Sequence, residues 1–226
     1  LTGATEEELA KVKLDVKGGT FKGTVQADTV TNFISGGTFT SEVSEDYCTE
    51  GFLPAKNEDG TYDIKEGTYV AEVGGKKYAT FEKAYAAAEN NGTITLLANC
   101  ESGRINLEDK SIQVVLNGYT LTSNAAYGVM FCAKNGNTVT IDGTKTGSKL
   151  VGTLMVTSGT YGHIVMNGGT YESSLYCPVY INGASVGTSS LTITNAVITG
   201  TNGGSVALYL AGPSTNTITD TTITGE

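Results

Sequence analysis

Hydrophobic residues recur along the second half of the chain at intervals of about 25 residues. The clearest series is Leu116, Ile141, Met166, Ile193 and Ile218, whose members are 25, 25, 27 and 25 residues apart. Around each member apolar and polar residues alternate, which is the period of a β-strand with two different faces. A fixed period of this length predicts a repeat architecture, in which each repeat buries its apolar face only against its neighbours.

Two further hydrophobic series follow the first with nearly the same spacing. Their members are Leu121, Thr146, Tyr171, Ile198 and Ile223, and then Val129, Leu154, Val179 and Val206, each of the last four followed two residues later by Phe131, Val156, Ile181 and Leu208. Three alternating segments per repeat predict a coil with three faces. The residues of one series would stack inside the coil at about 4.8 Å from one repeat to the next.

An Asn or Asp stands one or two residues after each member of the first series. These residues are Asn117, Asp142, Asn167, Asn195 and Asp220. Asn, Asp and Gly tolerate positive φ, so the position predicts a corner after the first strand of each repeat. The two aspartates alternate with asparagines along this column, and we therefore interpret them as corner residues and not as a catalytic pair.

The N-terminal part repeats a shorter phrase. Residues 16–21 and 34–39 share the pattern Val or Ile, any residue, Gly, Gly, Thr, Phe, and they lie eighteen residues apart, which predicts two small rungs. The acidic, turn-rich stretch 44–65 then interrupts the repeat. We therefore expect a β-rich appendage at 1–67, the end of a preceding repeat unit, and a second domain at 68–226. Thr5 to Glu8 reads either as a helix cap or as a frayed terminus.

The second domain begins with signals for a hairpin and a helix. Residues 70–73 and 76–78 flank Gly74 and Gly75, which predicts a hairpin with a two-residue loop. Thr80 then precedes an amphipathic pattern that ends at Asn91-Gly92. We expect this helix to cover the open N-terminal end of the coil. The first coil would start near Ile94, with Ile105 and Leu107 out of strict register.

Three strands per coil, Asx or Gly at the first corner and Gly-Gly-Thr-Phe/Tyr phrases resemble right-handed parallel β-helix proteins of the pectin-lyase-like type. Residues 69–97 are similar to the opening of β-helix domains in large secreted or wall-attached proteins of gut Gram-positive bacteria. The resemblance implies an all-β, right-handed, single-stranded parallel β-helix of four to five rungs from about 92 to 226, with one short N-terminal capping helix. It also implies an extracellular or cell-surface location. This architecture hosts lyases, hydrolases, adhesins and inert stalks alike.

The composition limits the kinds of partner that the chain can bind. The net charge of −9 argues against nucleic acids and anionic lipid surfaces as partners. The sequence contains no run of eighteen apolar residues, so we predict no membrane insertion. Cys48, Cys100, Cys132 and Cys177 form no CxxC pair, so we predict no metal site and no cofactor, and leave their disulfide state open. The chain starts without Met, and we expect both ends to continue in a longer protein.

The sequence contains few candidate catalytic residues. Arg104 is the only arginine and His163 the only histidine. We interpret Arg104 as a member of a surface ion pair with nearby carboxylates, and His163 as a solvated or hydrogen-bonded residue. An enzyme is therefore the less favoured reading, and no catalytic residue is assigned.

The outward side of the third strand offers the best candidate binding face. One predicted column reads Met130, Met155, Tyr180 and Ala207, and the next reads Cys132, Thr157, Asn182 and Tyr209. A partly apolar stripe with aromatic rings suits a sugar ring or a partner domain. We therefore predict Met130, Met155, Tyr180 and Tyr209 as ligand-binding residues, unless a loop or the N-terminal segment covers them.

These observations favour a non-catalytic module, an adhesin or glycan-binding stalk, with a glycan or a host or cell-surface molecule as partner. One alternative is a polysaccharide lyase or glycoside hydrolase, with Arg104, His163 and nearby carboxylates as its candidate catalytic residues. The other is a purely structural spacer.

Overall fold

The computed structural model describes residues 5–9, 11, 13–28, 30–173, 175, 177–183, 187–200 and 206–225. The chain divides into two compact units, 1–68 and 69–226. No helix among the described residues is long and apolar enough to cross a membrane.

The N-terminal unit is a small sheet of four strands with short helical segments. Its elements are α1 (Glu6–Leu9), β1 (Val16–Phe21), β2 (Ile34–Phe39), a 3-10 helix (Glu45–Tyr47), β3 (Phe52–Lys56) and β4 (Tyr62–Glu66), in the sheet order β1-β2-β4-β3. Thr5 and Glu8 form the reciprocal hydrogen bonds of a capping box, which decides for the helix at this position. Ala10 and Val12, whose apolar side chains follow this capping pattern in the sequence, lie outside the described residues.

Of the two predicted small rungs, the structure shows one strand each, β1 and β2. They pair in parallel with a step of eighteen residues, Val16 opposite Ile34 and Phe21 opposite Phe39. The following hairpin of β3 and β4 was missed, because its apolar residues are few and lie among acidic and turn-forming ones. The core of this unit consists of Phe33, Ile34, Phe39, Val43, Cys48 and Ile64.

The C-terminal unit is a parallel β-solenoid of about 25 residues per rung. It opens with the predicted hairpin, β5 (Ala71–Val73) and β6 (Lys76–Tyr78), and with α2 (Phe81–Ala87). The chain then visits three parallel sheets in turn for five rungs and begins a sixth. We call a single passage through the three sheets a rung.

The first sheet contains the longest strands. They are β7 (Gly92–Leu96), β10 (Ile112–Val115), β13 (Thr138–Gly143), β16 (His163–Gly168), β19 (Ser189–Thr194) and β22 (Ser214–Thr219). The second sheet contains β8 (Cys100–Ser102), β11 (Thr120–Ser123), β14 (Lys149–Val151), β17 (Thr170–Ser173), β20 (Val197–Gly200) and β23 (Thr222–Thr224). The third contains β9 (Ile105–Leu107), β12 (Val129–Ala133), β15 (Thr153–Val156), β18 (Val179–Asn182) and β21 (Leu208–Ala211), and a 3-10 turn (Ala126–Gly128) precedes β12.

Inward residues stack in columns, as the periodicity predicts. Ile141, Met166, Ile193 and Ile218 pair across successive strands of the first sheet. Leu116 was assigned wrongly to this column, since Val114 is the residue opposite Ile141. Leu116 is fully buried just after β10. A shift of two residues keeps a side chain on the same face of a strand, so alternation alone does not distinguish the two assignments.

Three other column assignments are corrected by the register. In the second sheet Leu150, and not Thr146, pairs with Leu121 and Tyr171, because residues 144–147 form an exposed loop that postpones the strand. In the third sheet Phe131, and not Val129, lies opposite Leu154. In the same sheet Leu208 takes the place predicted for Val206, opposite Val179.

The corner prediction holds for three of its five residues. Asn117, Asn195 and Asp220 have φ of 52°, 53° and 48°. Asp142 and Asn167 lie inside strands instead. Asp142 stabilises the end of its strand in a different way: one of its carboxylate oxygens accepts hydrogen bonds from the backbone N–H and the hydroxyl of Thr144.

The predicted capping helix covers the first rung of the solenoid. Thr80 is its N-cap, and Phe81 and Ala84 are buried. The Phe81 ring meets the Phe131 ring edge to face at 5.9 Å. The helix ends at Ala87, earlier than Asn91-Gly92, and Lys110 donates hydrogen bonds to the carbonyls of Tyr85 and Ala88 at that end.

Candidate ligand-binding face

The outer surface of the third sheet carries a ladder of apolar and aromatic side chains. In β18, Val179 and Ile181 are fully buried, so Tyr180 between them points outward. The strand register places Met155 on one side of Tyr180 and Tyr209 on the other. We call Met155, Tyr180 and Tyr209 the outer ladder.

Parallel register brings the two tyrosines into direct contact. Their ring centroids lie 4.7 Å apart and the planes differ by 9°, which is the spacing of neighbouring strands. One face of the Tyr180 ring is therefore covered by Tyr209. Tyr209 itself is 41% exposed and lies on β21, the last strand of the third sheet among the described residues. The outer face of Tyr209 is accordingly the aromatic face that this ladder offers to a ligand.

Polar groups lie at the edge of the aromatic pair. The side-chain amide of Asn182 donates a hydrogen bond to the Tyr180 hydroxyl at 3.1 Å. Asn182 occupies the outward position two residues along the same strand, opposite Ala211. The arrangement combines a ring face with a hydroxyl and an amide, and no member of the ladder carries a formal charge.

Met130 does not belong to this face, contrary to the sequence prediction. It is fully buried, and the strand register shifts between Val129 and Phe131. The shift places Cys132 beside Met155, and this thiol is also fully buried. The sequence prediction assumed columns with equal steps, and it could not reveal a register shift that adds one residue to a single strand.

Tyr209 was predicted to stand one column away from Tyr180, but it stacks directly on it. Ala207, which the pattern placed opposite Tyr180, is buried just before β21. The step from Tyr180 to Tyr209 is 29 residues. The predicted step of 27 residues, from Tyr180 to Ala207, therefore misplaces the last strand of this sheet by two residues, and the aromatic match itself was the available signal.

The structure does not bring the two possible catalytic residues together. The Arg104 guanidinium Nε donates to the Asn106 side chain at 3.0 Å, beside the third sheet in the first rung. His163 lies on the first sheet in the fourth rung, where its Nδ1 is 2.7 Å from the Ser190 hydroxyl.

The carboxylates near Arg104 have a different main partner. Glu108 forms an ion pair with Lys134 at 2.5 Å. The pKa of Glu108 is lowered mainly by the hydrogen bond from Lys134 and by its charge, with a smaller contribution from Arg104. The cation paired with Glu108 is therefore Lys134, and Arg104 contributes only the smaller effect of a nearby charge.

The described residues contain no cluster of three or more His, Cys, Asp or Glu side chains placed to hold a metal ion. All four cysteines are free thiols. Burial, with a smaller effect from the charge of Glu82, raises the pKa of Cys100 to about 11. Burial likewise raises the pKa of Cys177 to about 11. Both thiols are therefore protonated at neutral pH.

Comparisons with models of protein families, with curated proteins and with solved structures give no significant match.

Proposed function

We propose that this chain is a non-catalytic module of a secreted or cell-surface bacterial protein, and that the outer ladder binds a glycan. The observation that carries the proposal is the stacked pair Tyr180 and Tyr209, whose last ring face is open on a regular strand. The bacterial and extracellular setting rests on the resemblance of the repeat phrases to pectin-lyase-like β-helix domains.

Rigid aromatic rings suit this task. A tyrosine fixed by parallel strands and by a stacked neighbour loses little conformational entropy when a ligand binds. The Tyr209 ring supplies apolar contact area, and the Asn182 amide and Tyr180 hydroxyl supply hydrogen-bonding groups at its edge. The pattern fits a ring-shaped ligand with one apolar face and peripheral hydroxyls, which describes a sugar.

The charge distribution favours a neutral glycan over an acidic one. The chain carries 23 Asp and Glu against 14 Lys and Arg, and the ladder has no cation to pair with a uronate. A polyanion would therefore meet repulsion at long range. We expect neutral oligosaccharides to bind more tightly than polyuronates of equal length.

Calorimetric titration with a panel of neutral and acidic oligosaccharides tests the proposal. Tyr209→Ala should weaken binding of the preferred glycan at least tenfold, which corresponds to about 1.4 kcal/mol. Tyr127→Ala is the matched control, since Tyr127 is 77% exposed on the turn before β12 and is not in the ladder. This control should bind like the wild type, and melting temperatures should show that both variants are folded.

Three results would contradict the proposal. Release of unsaturated or reducing-end products from a polysaccharide would assign the chain to the lyases or hydrolases. Equal loss of binding in Tyr127→Ala and Tyr209→Ala would place the glycan elsewhere. If no glycan in the panel binds, the structural-spacer alternative remains and the binding proposal fails.

A further inference from the structure

The N-terminal unit shows how one copy of its six-residue phrase binds the next. β1 has the sequence VKGGTF and β2 the sequence ISGGTF, and the two strands pair in parallel. The Phe21 and Phe39 rings stack with centroids 4.7 Å apart and planes 11° from parallel. Two copies of the phrase are therefore complementary to each other: their strand edges pair in parallel and their Phe rings stack.

The first glycine of the phrase is required by this pairing. A Cβ atom at Gly36 of β2 would lie 2.3 Å from the backbone oxygen of Lys17 in β1, so no side chain fits there. The backbone φ of Gly36 is not in the left-handed region. Close approach of the neighbouring strand is thus the reason for glycine at this position.

The second glycine of the phrase does not indicate that a strand lies beside it. Gly19 and Gly37 have φ of 110° and 112°, which only glycine adopts readily. Glycine at these two positions is explained by the backbone alone, whether or not a strand lies beside it.

Gly18 is the equivalent of Gly36, yet no described residue occupies the corresponding space. None of the described residues comes within 4 Å of a Cβ built at Gly18, and its φ lies outside the left-handed region. Five of the six residues of β1 are exposed, and Phe21 is 37% exposed on the side not covered by Phe39. Glycine inside a strand is destabilising relative to alanine, so this edge carries a destabilising residue that the described part of its own unit does not need.

We propose that the free edge of β1 binds an extended polypeptide segment carrying the same phrase: Val or Ile, any residue, Gly, Gly, Thr, Phe. The segment pairs in parallel with β1, its second residue presents a carbonyl to Gly18 as Lys17 does to Gly36, and its Phe ring stacks on Phe21. This is strand addition, with the backbone supplying affinity and the ring supplying register.

The strands of a second copy do not meet this requirement. The partner must present to Gly18 the edge that β1 itself uses for β2. In another copy that edge of β1 is already paired with β2, and β2 is flanked by β1 and β4. The proposed partner is therefore a segment whose pairing edge is free, and not the folded N-terminal unit of a second molecule.

A fluorescently labelled peptide with the sequence of residues 30–41 is a direct probe, because it contains the phrase of β2. Fluorescence anisotropy with the full chain should show saturable binding. Gly18→Ala should reduce the affinity at least tenfold, since its methyl group enters the space of the partner carbonyl. The peptide in which Phe39 is replaced by Ala should also bind more weakly.

The fold of the variant is expected to be unaffected, since the new methyl group meets no described residue. Its melting temperature should equal or exceed that of the wild type. Gly103→Ala is the matched control: its φ is also outside the left-handed region, its nearest contacts are 3.9 Å away, and it lies in the other unit. It should bind the peptide like the wild type.

Three results would overturn the inference. The first is the absence of saturable binding. The second is binding that Gly18→Ala leaves unchanged. The third is concentration-dependent self-association of the chain without peptide, measured by sedimentation and abolished by Gly18→Ala, which would make a second copy the occupant of the edge.

Discussion

At the residue scale, Tyr171 brings a polar atom into an otherwise apolar interior. It is fully buried in the second sheet between Leu150 and Ile198. Its hydroxyl has no hydrogen-bond partner among the described residues, and burial raises its pKa, with a smaller effect from the charge of Asp142. The phrase Gly-Gly-Thr-Tyr here differs from that of β1 and β2 by this one oxygen atom.

We expect Tyr171→Phe to raise the stability of the protein. A buried hydroxyl without a partner costs about 1–3 kcal/mol, and phenylalanine removes it while keeping the ring. The free energy of unfolding in urea should therefore increase by about 1 kcal/mol. Tyr127→Phe, on an exposed tyrosine, should change nothing. A loss of more than 1 kcal/mol in Tyr171→Phe would show that the hydroxyl is hydrogen-bonded in solution.

At the scale of elements, the sequence predicts the solenoid because two periods coexist in it. Alternation identifies strands, and the 25-residue step identifies rungs, so the parallel architecture, the hairpin and the capping helix follow. The exact register of the strands cannot be predicted in this way, because a shift of two residues preserves the alternation and a loop between strands changes the step. Leu116, Thr146 and Val206 were misplaced for these reasons. Met130 was misplaced by a local shift inside one strand.

The same uncertainty in strand register limited the prediction of the candidate ligand-binding face. The sequence identified Met155, Tyr180 and Tyr209 as outward residues of the third strand. It did not reveal that Tyr209 covers one face of Tyr180, since that contact depends on the 29-residue step of a single rung. The prediction that both Tyr180 and Tyr209 contact a sugar is therefore restricted to the outer ring face of Tyr209.

The capping helix is joined to the first rung by a carboxylate. An oxygen of Glu82 in α2 accepts hydrogen bonds from the Ser102 hydroxyl at 2.9 Å and from the Gly103 N–H at 2.8 Å. Burial raises the pKa of Glu82, but the hydrogen bonds outweigh it, and the net pKa is lowered. The stabilisation is accordingly present above the unfolded-state pKa of about 4.3 and is lost as pH falls through the lower folded-state value.

Glu82→Gln tests this contact through its pH dependence. The glutamine keeps an acceptor oxygen but not the charge, so the wild type should be the more stable form at pH 7. Because Glu82 is an exposed residue whose carboxylate is only partly desolvated, we expect a difference below about 1 kcal/mol. Urea unfolding at pH 7 and near pH 3 should show that the difference shrinks in acid. A difference that is equal at both pH values would exclude a charge effect.

At the scale of the whole solenoid, each rung is held only by its neighbours, so protection should vary along its axis. The first rung is covered by α2, and the inward side chains of the middle rungs are fully buried, as at Ile141 and Ile193. In the last described rung Ile218 and Ile223 are each 41% exposed although they continue interior columns. Their strands have a neighbour on one side only among the described residues.

Hydrogen exchange on the 226-residue chain should therefore show a gradient. Amides at 139–142, which lie between two strands of the first sheet, should exchange only through large openings. Amides at 216–224 should exchange through local fraying, at least tenfold faster. Mass spectrometry of peptides from both segments measures the ratio, and sedimentation on the same sample establishes whether it is monomeric. Equal protection in a monomeric sample would mean that the open rung is as stable as the enclosed ones, and nearest-neighbour stacking would then not be what holds this unit together.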